Sequence, residues 1–156
     1  MRLDGNKAPR NQKGVTLIEL SIVIAIIALA ATFLSPNLGN WIQIYRLKGA
    51  TRDIVSAMRA AQMKAVSSNA QYRVSFAPAN SQYFLEISQD GGTTWSKEGE
   101  TQSLPSGLQL NTTFAGNAAT FYPNASSTNG TVTVINGKGS RKTIQIFGTT
   151  GRIKHG

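Results

Sequence analysis

A single carboxylate inside an apolar run has the clearest chemical requirement in this sequence. Glu19 follows Gly14, Val15 and Thr16, and the residues from Leu17 to Leu34 are otherwise almost all apolar. Placing an ionised carboxylate in hydrocarbon costs at least ~2.5 kcal/mol, and such groups are usually functional and paired. Without a partner, a buried ion stays uncompensated. We therefore predict that Glu19 needs a cation, and that a new N-terminal ammonium at Val15 provides it.

The stretch Gly14-Val15-Thr16-Leu17-Ile18-Glu19-Leu20 resembles the processing and assembly motif of type IV prepilins and of type II secretion pseudopilins. The resemblance implies that a prepilin peptidase cuts after Gly14 and that the freed amine of Val15 is N-methylated. It also implies that Glu19 meets the N-terminal ammonium of a neighbouring subunit during assembly, with Thr16 in the same motif. Family members usually begin the mature chain with Phe or Met, where this chain has Val15.

Two simpler interpretations of the N-terminus compete with this one. A secretory signal peptide would be cut at a small-residue site such as Ala28-Leu29-Ala30. Its apolar region would not contain Glu19, nor would it continue into a patterned helix. A plain single-span anchor explains the 18 residues from Leu17 to Leu34, which span about 27 Å at ~1.5 Å per residue. It does not explain the glycine, threonine and glutamate together.

The length of the chain is enough for one anchor and one head domain. Its 156 residues include 16 basic and 7 acidic side chains, for a net charge of +9, and no cysteine. Removing a basic leader of residues 1–14 leaves 142 residues, enough for a helix and one domain of roughly 100 residues. Positive leader charge favours the cytoplasmic side. We therefore predict an inner-membrane protein whose head lies outside the cytoplasm, before it enters a pilus or pseudopilus.

The first half of the chain predicts one long helix with two parts. Residues 15–36 are predicted to form the transmembrane and assembly part, and residues 37–69 an amphipathic part. Pro36 should bend the helix because its ring removes one backbone hydrogen bond and clashes with the preceding turn; family members commonly carry a proline there. The amphipathic part has apolar residues at three- and four-residue spacing: Leu47, Ala50, Ile54, Met58, Ala61 and Ala65.

From Gln71 onward the apolar period changes to two, which indicates strands. Strands that follow a helix, without further helices between them, favour an α+β fold with an antiparallel sheet. We therefore predict a pilin-like fold in which the long helix packs on the sheet of a head domain at residues 70–156. The predicted strands lie near Tyr72–Phe76, Tyr83–Ser88, Leu108–Thr112, Ala119–Tyr122, Thr131–Ile135, Thr143–Phe147 and Arg152–Lys154.

The C-terminal third carries a second resemblance. Its segments include Phe121-Tyr122-Pro123, Gly130-Thr131-Val132-Thr133-Val134, Arg141-Lys142-Thr143-Ile144-Gln145-Ile146 and Gly148-Thr149-Thr150-Gly151-Arg152-Ile153-Lys154. Together they are similar to the end of the GspH/FimT family of minor pilins and pseudopilins. The most specific part is the last turn, followed by Gly-Arg-aliphatic-basic.

Charge at this end predicts contact with a polyanion. Residues 101–156 contain no acid. Arg152 and Lys154 are two apart on a predicted strand and so share a face. We expect a hairpin through Gly148–Gly151 to bring them near the other basic residues of this end, in one patch: Lys138, Arg141, Lys142, Arg152 and Lys154. Some FimT-like proteins are implicated in DNA uptake through a Gly-Arg-x-Arg motif, so the resemblance implies double-stranded DNA as a partner. The alternative is a solvated basic face.

Enzymatic functions are disfavoured by the residue inventory. The one histidine is His155 and there is no cysteine, so we predict no catalytic residues, no metal site and no cofactor. The turn at Ser88–Gly92 lacks the alternating oxygen ligands of a calcium loop. The resemblances instead imply a minor pilin of a type IV pilus, whose partners are other subunits. The alternatives are a GspH-type cap pseudopilin of a type II secretion system and an anchored binding protein that never polymerises.

Overall fold

The computed structural model describes residues 14–34 and 38–156, and the chain divides into two compact units between Leu38 and Gly39. Helix α1, Leu17–Leu34, forms most of the described part of the first unit. Its side chains are exposed as far as Thr32. Within the described residues, no helix is long and apolar enough to cross a membrane. Most of the predicted leader, residues 1–13, and the predicted bend at Pro36 lie outside the described residues.

Helix α2, Leu38–Ser68, presents the predicted buried face. All six residues expected on that face are buried: Leu47, Ala50, Ile54, Met58, Ala61 and Ala65. Thr51 and Val55 are buried beside them. The Thr51 hydroxyl donates to the Leu47 carbonyl at 2.7 Å, so this polar group is satisfied within the helix. The amphipathic pattern therefore identified the packed face correctly.

Two antiparallel four-stranded sheets follow, which confirms the α+β prediction. The first sheet has the strand order β3-β2-β1-β5 and the second has β4-β6-β7-β8. The strands are β1 Gln71–Ala77, β2 Gln82–Ser88, β3 Ser96–Ser103, β4 Leu108–Thr112, β5 Ala118–Phe121, β6 Gly130–Asn136, β7 Arg141–Phe147 and β8 Arg152–His155. Seven of the eight were expected from the sequence.

Strand β3 was not predicted because it carries no apolar alternation. Its sequence, Ser-Lys-Glu-Gly-Glu-Thr-Gln-Ser, is mostly exposed, and it pairs only with β2 at the edge of the first sheet. A polar edge strand is held by backbone hydrogen bonds to the neighbouring strand. These bonds leave no pattern in the amino-acid sequence. Charged side chains on such an edge also discourage pairing with another chain.

One apolar core joins α2 to both sheets. It contains the buried face of α2 together with Val74 and Phe121 of the first sheet and Val132 and Ile144 of the second. Strands that contribute to this core, such as β1, β6 and β7, have one face in it and one face available for other roles. The alternation in β7 is typical: Ile144 and Ile146 are fully buried, whereas Arg141 and Gln145 are exposed.

Candidate functional site: the assembly motif and the basic hairpin

The assembly motif begins α1 with a reciprocal cap. The backbone N–H of Glu19 donates to the Thr16 hydroxyl at 3.3 Å, and the backbone N–H of Thr16 donates to a Glu19 carboxylate oxygen at 3.4 Å. This is the capping-box arrangement of a Thr followed three residues later by a Glu, and it satisfies two backbone donors at the helix start. Thr16 and Glu19 thus hold the first turn, immediately after the predicted cleavage position.

This geometry gives Glu19 a role that the sequence analysis missed. The sequence does contain the pattern for this cap, because Thr-x-x-Glu before an apolar run indicates a helix N-terminus. Gly14, Val15 and Glu19 are all exposed, and Val15 keeps 76% of its surface accessible. The predicted cleavage position and the Glu19 side chain are therefore accessible at the surface of the described residues. Cleavage, N-methylation and intersubunit pairing remain predictions.

The C-terminal hairpin forms with a register that fixes the direction of its side chains. Phe147 pairs with Arg152, and Gln145 pairs with Lys154. Arg152 and Lys154 lie on the same face of β8, as predicted, and both are exposed. The Arg152 guanidinium lies 4.8 Å from the centroid of the Phe147 ring, so a cation–π contact supports its side chain.

The prediction of one five-cation patch is wrong. Arg141 lies six residues before Phe147 on β7, so it is about 20 Å from Arg152 at ~3.4 Å per residue. Lys142 is half-buried on the same face of β7 as Ile144, opposite to the face of Arg152 and Lys154. The register explains the error, because a hairpin brings only residues at matching distances from its turn together. Lys138 lies in the β6–β7 turn, at the Arg141 end.

Two glycines in the hairpin turn are required by close packing. A Cβ at Gly148 would lie 2.9 Å from the Ser127 carbonyl oxygen, and Gly151 has a φ of +60°, a conformation that favours glycine. The Gln62 side chain of α2 donates to the carbonyls of Gly151 and Ala125 at 3.1 and 3.2 Å. These contacts attach the turn that precedes Arg152 to the middle of α2.

The Glu86 carboxylate of the first sheet has a cationic partner. The Arg73 Nε donates to Glu86 at 2.5 Å, and the Ser75 hydroxyl donates to the same oxygen at 2.5 Å. Arg73 also lies 4.1 Å from the Trp95 ring centroid. Burial opposes ionisation of Glu86, but the hydrogen bonds from Arg73 and Ser75 outweigh it and lower its pKa.

A second pair connects α2 to the edge of the first sheet. Lys64 and Glu98 form a salt bridge. The hydrogen bond between them lowers the pKa of Glu98 and raises the pKa of Lys64. In the part of the chain that the structure describes, this pair and Arg73–Glu86 are the two salt bridges. The cations of the second sheet thus have no carboxylate partner among residues 14–34 and 38–156.

Asp90 orders the loop after β2 through hydrogen bonds. Its carboxylate accepts hydrogen bonds from the side chain and backbone of Thr94, from Ser88 and from the Thr93 N–H. These bonds, the one from the Thr94 hydroxyl first, hold the pKa of Asp90 well below its usual range. Across the described ranges, no group of three or more His, Cys, Asp or Glu side chains could hold a metal ion.

Family models match both ends of the chain. Residues 50–150 match the model of the type II transport protein GspH. Residues 9–35 match the prokaryotic N-terminal methylation motif. The first match contains α2 from Ala50 and the strands β1 to β7, and the second contains the capping box.

Three individual pilins and pseudopilins are similar to this chain in sequence or in fold. The type IV wide pilus major component PilA4 of Thermus thermophilus is 32% identical over 106 residues, which cover 55% of this chain and 80% of that protein. The minor pseudopilin EpsH of the Vibrio cholerae type II secretion system superposes with a TM-score of 0.61 at 13% identity, over 70% of this chain and 95% of EpsH. The type IV minor pilin FimU of Pseudomonas aeruginosa superposes with a TM-score of 0.58 at 15% identity, over 73% and 90%. The chain belongs to the GspH family, as a pilin or pseudopilin with the pilin-like α+β fold.

Proposed function

We propose that this protein is a minor subunit of a type IV pilus and that it assembles through its N-terminal motif. The observation that carries the proposal is the position of Glu19, which is exposed within one turn of Val15 in a chain that matches the N-terminal methylation motif. Once Gly14 is removed by a prepilin peptidase, the Val15 ammonium of one subunit pairs with Glu19 of the next. Segment 15–36 anchors the precursor in the inner membrane before assembly.

A pilus is favoured over a secretion pseudopilus by one relative. The type IV wide pilus component is 32% identical to this chain over 80% of its own length. The alternative, a cap pseudopilin of a type II secretion system, is favoured by the GspH family model. The neighbouring genes separate the two, because secretin and exported-protein genes accompany secretion whereas pilus and competence genes accompany a pilus.

The assembly proposal is tested with two substitutions at Glu19 that differ in charge and in capping. Glu19→Gln keeps a side-chain acceptor for the Thr16 N–H but removes the negative charge, whereas Glu19→Ala removes both. Pairing with an ammonium predicts that both variants are cleaved and N-methylated but fail to enter sheared filaments. Mass spectrometry of the N-terminal peptide gives the cleavage, and immunoblotting of the filament fraction gives the incorporation. Normal incorporation of Glu19→Gln would show that capping alone matters.

We also propose that the outward face of the C-terminal hairpin binds the phosphates of double-stranded DNA. Arg152 and Lys154 are exposed on one face with no carboxylate partner among the described residues. Arginine can hold a phosphate with two parallel hydrogen bonds, and lysine adds a point charge. Such contacts give weak binding without sequence preference, and its strength falls with salt.

The DNA proposal is tested by the salt dependence of binding. Each neutralised phosphate contributes a slope of about −0.9 to a plot of log affinity against log salt. Replacing Arg152 and Lys154 by glutamine in the full chain, held in an uncharged detergent, should reduce the slope by about 2 in magnitude. An unchanged slope in the double variant, or no dependence on salt in the wild type, would contradict the proposal.

A further inference from the structure

A pocket between α2 and the strands β7 and β8 of the second sheet is lined by basic side chains from these three elements. Its volume is about 200 Å³, and it is lined by Lys48, Thr51, Arg52, Lys142 and His155. Lys48 and Arg52 come from α2, Lys142 comes from β7, and His155 comes from β8. The sequence analysis placed only Lys142 among candidate binding residues, and it placed that residue on a different surface.

The helix spacing and the strand register place these groups around one pocket. Lys48 and Arg52 are four residues apart on α2 and therefore lie on the same face. His155 pairs with Ile144, which is fully buried, so His155 and Lys142 both lie on the face of the hairpin that is turned towards α2. Arg152 and Lys154 point the other way. The hairpin thus divides its basic side chains between two surfaces.

The pocket has positive charge without local compensation. Neither salt bridge of the described residues includes Lys48, Arg52 or Lys142. Burial raises the pKa of Tyr83 on the first sheet, and the charge of nearby Asp53 raises it further. Asp53, the acid nearest in sequence to this pocket, therefore lies towards another surface. The Thr51 hydroxyl already donates to the Leu47 carbonyl. Like charges four residues apart destabilise a helix, and a bound anion would remove that repulsion.

We propose that this pocket is a binding site for a phosphate group. Three side chains with a fixed positive charge, together with the His155 imidazole, suit a group with up to two negative charges and several oxygen acceptors better than a single carboxylate. The Arg52 guanidinium can hold two oxygens at once, and Lys48 and Lys142 can approach the others as point charges. A volume of about 200 Å³ exceeds the ~30 Å³ of one water several times, so the pocket has room for a group larger than one water.

The phosphate can belong to a free anion or to the headgroup of an anionic phospholipid. The site does not depend on filament assembly, because neither Val15 nor Glu19 takes part. It also does not depend on DNA contact, which we assign to Arg152 and Lys154 on the opposite face. Failure of this proposal is therefore separable from failure of the proposed function.

His155 provides a direct probe because the chain contains one histidine. The full chain, without a histidine tag and in an uncharged detergent, is titrated with inorganic phosphate at constant pH, against sodium chloride at equal ionic strength. We expect the imidazole NMR resonances to shift saturably with phosphate and not with chloride. In Arg52→Gln/Lys142→Gln the affinity should fall by about tenfold or more, the effect of losing a charge-assisted hydrogen bond.

The matched control is Arg59→Gln/Lys97→Gln, which removes one arginine from the same helix and one lysine from a strand, both exposed. It should bind phosphate like the wild type. If the first double variant does not fold, Lys48→Gln, at an exposed position, provides the same comparison. An equal response to chloride, or equal loss of affinity in the control, would overturn the proposal.

A second arm identifies the source of the phosphate. The chain is placed in lipid nanodiscs of phosphatidylcholine alone or with phosphatidylglycerol, in the absence of free phosphate. A His155 shift that requires phosphatidylglycerol and Arg52 supports a lipid headgroup, and a response to inorganic phosphate alone supports a free anion. No response in either arm, or a response to a DNA duplex alone, would overturn the proposal.

Discussion

The two sheets of the head use charge in different ways. In the first sheet, Arg73 and Glu86 pair at 2.5 Å with side-chain exposures of 27% and 12%, and Glu98 pairs with Lys64 of α2. The second sheet carries Arg141, Lys142, Arg152 and Lys154 on β7 and β8, and the sequence has no acid beyond Glu100.

This difference separates charges that support the fold from charges that are available to a partner. Burying part of an ion pair has a desolvation cost, and the partner and its hydrogen bonds offset that cost. The exposed cations of the second sheet have no such cost and no such partner among the described residues. Their removal should therefore change binding, whereas removal of the paired charges should change stability.

The largest expected effect comes from the apolar face of the second sheet. Ile144 is fully buried in the core. Ile144→Ala should lower the free energy of unfolding by about 2 to 5 kcal/mol, because it removes buried methyl groups and leaves a cavity. Urea denaturation followed by circular dichroism measures the change. A loss below ~1 kcal/mol would mean that the second sheet is not part of the same core.

A smaller loss of stability is expected from the paired charge of the first sheet. Glu86→Gln should lower the free energy of unfolding by about 1 to 3 kcal/mol, because Arg73 and Ser75 lose a charged acceptor. Glu100→Gln is the control, since Glu100 is exposed on β3 and should change stability by less than ~0.5 kcal/mol. Equal effects of the two substitutions would argue against a structural role for the pair.

The same pair predicts the pH dependence of stability. The folded pKa of Glu86 is lower than its unfolded value. The stability that Glu86 contributes is therefore fully present above about pH 4.3 and is lost as the pH falls through the folded pKa. Wild-type stability should therefore fall on acidification below about pH 4.3, and Glu86→Gln should show a weaker dependence in that range. Parallel pH profiles for the two proteins would contradict this assignment.

The salt bridge at the sheet edge should matter less. Lys64 and Glu98 have side-chain exposures of 45% and 33%, and exposed pairs contribute about 0.2 to 1 kcal/mol. Lys64→Gln should lower the free energy of unfolding within that range, and 1 M salt should reduce the difference from wild type. A loss above ~2 kcal/mol would mean that Lys64 has a further role in packing.

The smallest stability effect belongs to the free cations of the second sheet. Arg141→Gln/Lys154→Gln should change the free energy of unfolding by no more than about 0.5 kcal/mol, since both side chains are exposed and have no carboxylate partner among residues 14–34 and 38–156. Urea denaturation of the double variant beside Lys64→Gln provides the comparison. A larger loss would show that these cations support the fold.

Much of the fold was predictable because the spacing of apolar side chains along the sequence indicates which segments form helices and which form strands. The buried face of α2 and the strands β4 and β7 follow directly from spacing. Strand β3 could not be found in this way, since its polar residues are held by backbone bonds to β2. The cap formed by Thr16 and Glu19 was readable as a local motif.

The basic surfaces were only partly predictable. Which residues are basic is evident in the sequence, and Lys48 and Arg52 are four apart on one helix face. Their meeting with Lys142 and His155 depends on the register of β7 with β8. A shift of one residue would move Lys142 to the outward face, so composition alone cannot assign the two surfaces.

The most direct test compares two charge deletions of equal size in the full chain. Arg152→Gln/Lys154→Gln and Lys64→Gln/Arg73→Gln each remove two positive charges, and both are measured for duplex DNA affinity at low salt and for the urea midpoint. We predict that the first variant loses DNA binding and keeps its midpoint, whereas the second keeps DNA binding and loses stability. Equal loss of DNA binding in both would show that net charge alone attracts DNA, and loss of stability in the first would show that the cations of the second sheet are structural.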